Sequence, residues 1–328
     1  MSANLWYLAK KVAGLLVSLF LASLVIFLLL RLLPGDSSGT LLGVGTTQEQ
    51  LEQLRSELGT DQPLLVQYGQ WLHDLFTGQS ASFISKKPFS ELIGHRLAVT
   101  VPLSVGAFIL AVLVSVPLGV LAATRRRSPA GVAISGLSQL GLAVPSFWIG
   151  VILVWIFALR LGWFPAGNFP RHGWADPVAA LTALALPMIT IAIAMSATMV
   201  RYIRSSVIDV LDTDYLRTAR SLGYSRAGAL ARHGLRNAAV PVVAILGIEL
   251  GTSLLGAVVI ENVFALPGLG QLLLTSVTAR DLPTVQNLVM LLTAVVLIIN
   301  TAVDLLQRGI DPRLQLGSSR ARRKAGAK

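Results

Sequence analysis

The sequence predicts an all-α, polytopic membrane protein with six transmembrane helices. Three observations carry that reading. Of the 328 residues, 54% are hydrophobic and only 13% are charged, whereas a soluble domain carries about a quarter charged residues. The apolar residues are gathered into long runs free of Asp, Glu, Lys, Arg and His, and each run meets the length of about 20 residues that a helix needs to cross a bilayer. The basic residues collect in alternate gaps between those runs, the asymmetry that orients spans in a membrane. Cysteine is absent, which excludes disulfides and thiolate metal sites. The formal net charge is +11. In a soluble chain that would point to nucleic acid, but in a chain of spans it belongs at a membrane face, and no nucleic-acid partner is expected.

The spans follow in order. Val12 to Leu30 is the first, 19 residues long and preceded by Lys10 and Lys11. It exceeds a signal-peptide core and no small-residue cleavage site follows it, so an uncleaved span is expected. Leu97 to Thr124 is the second, and Ser128 to Leu159 the third. The third is longer than one span requires, and its ends are expected in the interface. Pro177 to Val200, Asn237 to Ile260 (interrupted only by Glu249) and Leu282 to Val303 complete the set. As helices, all six satisfy their own backbone hydrogen bonds, which hydrocarbon demands. Pro102, Pro117, Pro145 and Pro187 fall within spans, where proline is tolerated and can kink.

Nineteen of the 27 Lys and Arg residues lie in the amino-terminal arm, in 125–127, in 201–236 and in the tail from Arg308. The positive-inside rule therefore places both termini in the cytoplasm. The chain divides into an arm (1–11), a first transmembrane helix (12–33), an extracytoplasmic loop or cap (34–96), a five-helix core (97–306) with a cytoplasmic loop (201–236), and a basic tail (307–328). Arg320, Arg322, Arg323 and Lys324 of the tail suit anionic head groups. In the outer loop, Pro34-Gly35-Asp36 breaks the chain. Leu51, Leu54 and Leu58 mark an amphipathic helix over Thr47 to Leu58, and Pro63 to Phe76 reads as a second helix.

The cytoplasmic loop carries the most specific local signals. Asp212 is placed to cap a helix, with Asp214 in its first turn and Arg217 and Arg220 toward its end, an order that complements the helix dipole. Tyr215, Leu216, Ala219 and Leu222 form one apolar stripe. Gly223 closes the helix, and Ser225 caps a second one. Two readings stand for this helix-turn-helix: a basic loop lying on lipid head groups, or a docking element for a groove on another protein, slightly favoured by the stripe and the defined turn.

These residues resemble the permeases of ABC importers, in particular the dipeptide/oligopeptide/nickel branch. Tyr215-Leu216-Arg217-Thr218-Ala219-Arg220-Ser221-Leu222-Gly223, followed by Leu235-Arg236-Asn237-Ala238 and Pro241, is similar to the family's coupling loop. Arg217, Thr218 and Ala219 occupy the Glu-Ala-Ala triplet and Gly223 its glycine. The glutamate is missing, a departure common in this branch. Leu33-Pro34-Gly35-Asp36, Asp61-Gln62-Pro63-Leu64, Val144-Pro145-Ser146-Phe147-Trp148 and Leu161-Gly162-Trp163-Phe164-Pro165-Ala166 resemble the branch, as do Pro267-Gly268-Leu269-Gly270, Arg280-Asp281-Leu282-Pro283 and Asp311-Pro312-Arg313. The likeness runs from about Leu5 to Arg313, and its specificity lies in the ordered set of motifs.

The resemblance implies a type I ABC importer permease fold and half of a translocation pathway in the bacterial cytoplasmic membrane. It implies a homologous second permease, two ATPase subunits, and an extracytoplasmic substrate-binding protein. The ATPase-coupling residues would be Asp212, Asp214, Tyr215, Arg217, Thr218, Ala219, Arg220, Leu222 and Gly223. No cofactor is expected in this chain. ATP and Mg would be held by the partner ATPases, since no P-loop run occurs here. Substrates carried within the branch include dipeptides, longer peptides, glutathione-like molecules and nickel.

Other candidates carry structural alternatives. Glu249 is a mid-span carboxylate between Gly247 and Gly251, a pathway candidate by its position in the membrane. It equally suits a contact with a partner permease, because the glycine pair allows close helix approach. Ser146 is a second pathway candidate and sits in no nucleophile elbow. Glu261 reads as an interfacial turn residue, and Asn300 with Asp304 as a structural polar face. The four histidines have no metal-ligand spacing. A secondary transporter would call for internal repeats and several intramembrane charges, and an intramembrane enzyme for a catalytic pair at matching depth. The sequence supplies neither, so a non-enzymatic transport subunit is expected.

Overall fold

A computed structural model of the chain describes residues 3–32, 49 and 61–310. The expectations for Pro34-Gly35-Asp36, for nearly all of the 47–58 helix, for Asp311-Pro312-Arg313 and for the basic tail lie outside those residues. The helices are α1 (Ala3–Leu32), α2 (Leu64–Thr77), α3 (Phe89–Thr124), α4 (Pro129–Ala143), α5 (Ser146–Leu153) and α6 (Pro177–Leu211). They continue with α7 (Asp214–Ser221), α8 (Arg226–Ala229), α9 (Leu235–Val263), α10 (Leu269–Thr278) and α11 (Leu282–Ile310). Among the described residues, α1, α3, α6, the run 226–263 and α11 are long and apolar enough to cross a membrane.

The third predicted span departs from expectation. It is two helices, Pro129–Ala143 and Ser146–Arg160, bent by 102°. The long run is interrupted by a break between the two helices. The cause is Pro145. It lacks an N–H and disfavours helical backbone at the residue before it, and Val144 is extended at φ −87 and ψ 124. The helix restarts with Pro145 at its N-cap.

The centre of the bundle is the α3–α6 pair, which forms the most extensive helix contact. One face of α3 presents Val99, Leu103, Ala107, Ala111, Ser115 and Gly119, all buried, at helical i, i+4 spacing. A Cβ on Gly106 would lie 2.7 Å from Met188, and one on Gly119 2.7 Å from Ile203. Such small residues let backbones approach where lipid removes the hydrophobic drive for helix association. Pro102, Pro117 and Pro187 sit inside these helices, where neighbours in the bundle help to satisfy the backbone they leave unpaired. Helix α9 packs against α6, α3 and α11, and α1 lies against α11.

Helix α2 lies in the segment expected outside the membrane. Its Trp71 Nε1 donates to Asn287 Oδ1 at 2.8 Å, and its Tyr68 hydroxyl lies 2.7 Å from Ser23 Oγ. Phe27 packs edge-on against Tyr68 at 5.3 Å between centroids. Aromatic side chains with polar tips therefore bind α2 to both α1 and α11.

Candidate functional site

The basic end of the bundle carries the helix-turn-helix. Helix α6 ends at Asp212, whose carboxylate accepts two bonds from Arg126, at 3.0 and 3.2 Å. The Arg126 hydrogen bond holds the Asp212 carboxyl below its ordinary range and raises the guanidinium. The expectation that Asp212 caps α7 is therefore corrected: Thr213 stands at the N-cap with no side-chain cap bond, and Asp212 is committed to the α3–α4 turn. Helix α7 then runs from Asp214 to Ser221, with Arg217 Nη1 donating to Asp214 Oδ1 at 3.2 Å.

The turn after α7 follows from its glycine. Gly223 has φ +95, a left-handed conformation that costs a residue with a Cβ. Gly223 N donates to Arg220 O at 3.0 Å and Tyr224 N to Ala219 O at 3.3 Å, the paired bonds of a Schellman closure. Ser225 Oγ accepts from Gly228 N at 3.1 Å and caps α8.

The apolar stripe is divided by the fold. Leu216 and Ala219 are buried within the chain, whereas Leu222 is 76% and Tyr215 40% exposed. Both belong to the hydrophobic core cluster, where Leu216 seats beside Gly234, 3.4 Å from a would-be Cβ. Tyr215 is also tied down, its hydroxyl accepting from Asn237 Nδ2 at 3.0 Å. Half of the stripe thus seats α7 on the bundle. The face left outward holds Leu222, Tyr215, Thr218, Arg217 and Arg220.

Glu249 and Ser146 are not brought together by any hydrogen bond among the described residues. Gly247 and Gly251 face α11: a Cβ on Gly247 would lie 2.3 Å from Val303, and one on Gly251 3.5 Å from Val296. This close approach is made to the chain's own last helix. Glu249, two residues from each glycine, lies on another face of α9 and is half-buried. Ser146 is the first residue of α5 after the break and is also half-buried.

The opposite end holds two polar latches that sequence reasoning missed. Glu261 is not an interfacial turn residue but fully buried, at 0% exposure. It accepts from Thr100 Oγ1 and from Gly270 N at 2.7 Å, while Thr100 Oγ1 accepts from Leu269 N at 2.9 Å. Two side chains from other helices therefore cap the first turn of α10, where helical N–H groups lack partners. The glycines of Pro267-Gly268-Leu269-Gly270 are a consequence, since a Cβ on Gly268 would fall 2.1–2.3 Å from the Glu261 carboxyl. The second latch is Asp281, which accepts from Ser82 Oγ at 2.5 Å, Phe83 N at 3.1 Å and Thr284 Oγ1 at 2.8 Å. A charged residue flanking an apolar run was the available signal, but its partners lie far away in sequence.

A bundle of spanning helices with a broken third span, projecting a short helix from its basic end, defines the class: a polytopic membrane protein. Known proteins place it further. Residues 4–104 match the N-terminal model of the binding-protein-dependent transport system membrane component, and residues 115–316 match the model of the inner membrane component. A protein of Brucella abortus (strain 2308) named as a peptide transport system permease is 40% identical over 307 residues, 93% of this chain and 98% of its own. The glutathione transport system permease protein GsiC of Salmonella choleraesuis is 37% identical over 311 residues, 94% of this chain and 98% of its own. Among solved structures, a chain of the MetNI methionine ABC transporter aligns with a TM-score of 0.56 and 14% identity, covering 67% of this chain and 97% of its own. A chain of an amino acid ABC transporter gives 0.52 at 20% identity, covering 67% and 94%. Those two share the fold. The chain belongs to the binding-protein-dependent transport system inner-membrane component family. It is the permease of a bacterial ABC importer, in the branch of the peptide and glutathione permeases, and a subunit of a larger membrane complex.

Proposed function

We propose that this permease forms half of the transmembrane pathway for small peptides, driven by two ATPase subunits, one of which docks on α7. The observation that carries the coupling role is α7 itself: anchored from behind by Leu216 and Ala219, closed by Gly223, and presenting Leu222 at 76% exposure. An apolar side chain on a seated helix with Arg217 and Arg220 beside it suits a groove on a partner. Because α6 runs unbroken from Pro177 to Leu211 and ends at the Arg126–Asp212 pair, a push on α7 would travel into the core pair as a rigid-body motion. A homologous second permease completes the pathway, and an extracytoplasmic binding protein delivers the peptide. ATP and Mg belong to the ATPases. Both termini and α7 lie on the cytoplasmic side of the inner membrane, where the basic residues cluster. Glu249 lines the pathway and meets a peptide ammonium, with Ser146 at the mouth of the broken span. The peptide substrate is supported by the names of the Brucella and Salmonella relatives.

The test is purification of the tagged permease from membranes in mild detergent, for wild type, Leu222→Asp and Gly223→Pro. Wild type is expected to retain two ATPase chains and a second permease. Both variants are expected to lose the ATPase that docks on α7, and Leu222→Asp to do so without a change in permease melting temperature. A wild-type permease that purifies alone yet transports would refute the coupling role. Proteoliposomes of the complex that take up no labelled peptide in the presence of the binding protein would refute the substrate.

A further inference from the structure

We infer that the crevice between α1 and α11 at the basic end is a binding site for one anionic phospholipid. The crevice encloses about 460 Å³. It runs along α1 from Trp6 to Ser18 and is walled on the other side by Leu297, Thr301 and Asp304 of α11.

Its polarity changes along its length. Helix α1 has 30 residues, about 45 Å at the helical rise, while the hydrocarbon layer is about 30 Å thick. The surplus lies at the end that carries charge, because Lys10 and Lys11 immediately precede the charge-free run beginning at Val12. The outer part of the crevice therefore stands at head-group level and the inner part in hydrocarbon. The outer part is lined by Lys10 and Lys11 and by the rings of Trp6 and Tyr7, with Lys10 Nζ 5.6 Å from the Trp6 ring centre and Lys11 Nζ 5.8 Å from that of Tyr7. Lys11 is paired with Asp304. Among the described residues lining the crevice, Lys10 and Lys11 face one carboxylate, Asp304, and the balance favours an added anion. The inner part is apolar, floored by Leu15 and Leu297. It is left open at Gly14, where an added Cβ would meet nothing within 4 Å. Cations over aromatic rings, continuous with an apolar slot that enters the bilayer, fit an amphiphile carrying a phosphate head and an acyl chain. Basic pockets between spanning helices at the cytoplasmic face hold anionic head groups by this chemistry.

The experiment reconstitutes the intact transporter complex in nanodiscs of phosphatidylcholine with a minority of phosphatidylglycerol. Native mass spectrometry then reads the lipid retained. Wild type is expected to retain phosphatidylglycerol in preference to phosphatidylcholine. Lys10→Gln, at an exposed residue outside the Lys11–Asp304 pair, is expected to lower that retention about fivefold, the effect of one cation near a membrane surface. Gly14→Phe fills the apolar slot without touching a charge and is expected to lower retention as well. Arg171→Gln, at the opposite end, is expected to leave it unchanged. Equal retention of the two lipids, or indifference to both Lys10→Gln and Gly14→Phe, would overturn the inference. Inorganic phosphate is the second probe. If it displaces the lipid fully and Gly14→Phe has no effect, the site binds free phosphate and the lipid assignment falls.

Discussion

Removing the carboxyl group of Glu261 is expected to unseat α10. Glu261 is fully buried and accepts from Thr100 Oγ1 and Gly270 N, while Thr100 relays to Leu269 N. In Glu261→Gln, one of the two accepting oxygens becomes an NH2 donor, so at least one buried donor loses its partner. Leaving such a group unsatisfied costs about 2 kcal/mol. Thr100→Val keeps the shape, strands Leu269 N–H, and costs about 2 kcal/mol for the same reason. Because the two side chains bond to each other, the double variant should cost less than the sum, by about 1 kcal/mol. The assay is equilibrium unfolding in mixed detergent micelles for wild type, both single variants and the double variant. Single variants within about 0.5 kcal/mol of wild type would place these bonds among ordinary surface effects and refute the latch. Strict additivity would refute the claim that Thr100 and Glu261 act as one cap.

Two further outcomes follow from the geometry. Gly247→Ala places a Cβ 2.3 Å from Val303, whereas Gly251→Ala meets Val296 at an ordinary 3.5 Å; Gly247→Ala is expected to cost about 1–3 kcal/mol as overpacking does and Gly251→Ala to be tolerated, which melting temperatures of the two variants will read. The Arg126–Asp212 pair gives a pH dependence of known sign: the folded-state pKa of Asp212 lies below the ordinary value, so its contribution is present above that value and is lost as pH falls through the lowered one. The melting-temperature difference between wild type and Asp212→Asn should accordingly shrink on acidification, and a difference that grows would contradict the pairing.

Much of the architecture was legible because hydrocarbon imposes a simple rule. A backbone in lipid must satisfy its own hydrogen bonds, so long charge-free runs read directly as helices. Turn chemistry was equally local: Gly223 and Ser225 were marked by residue type alone, and they close α7 and cap α8 as residues with those conformational preferences do. Other features were hidden because their causes are long-range. The break in the third span was signalled by Pro145, yet proline also sits inside α3 and α6 without breaking them. Sequence spacing grouped Leu216 and Ala219 with Tyr215 and Leu222, but packing against the core cluster decided which of them are buried.

The sequence by itself determined that the chain spans a membrane, where its spans fall, where its positive charge is concentrated, and that a capped helix-turn-helix projects from the basic end. Those properties depend on hydropathy, charge and local backbone preference, which a linear pattern carries. Only the tertiary structure decided that Glu261 caps a distant helix, that Asp212 pairs with Arg126 instead of capping its neighbour, that Gly247 admits Val303, and that α1 and α11 enclose a charged crevice. Each depends on which residues far apart in the chain are brought within hydrogen-bonding or van der Waals distance, and helical periodicity fixes the face of a helix without naming the surface it meets.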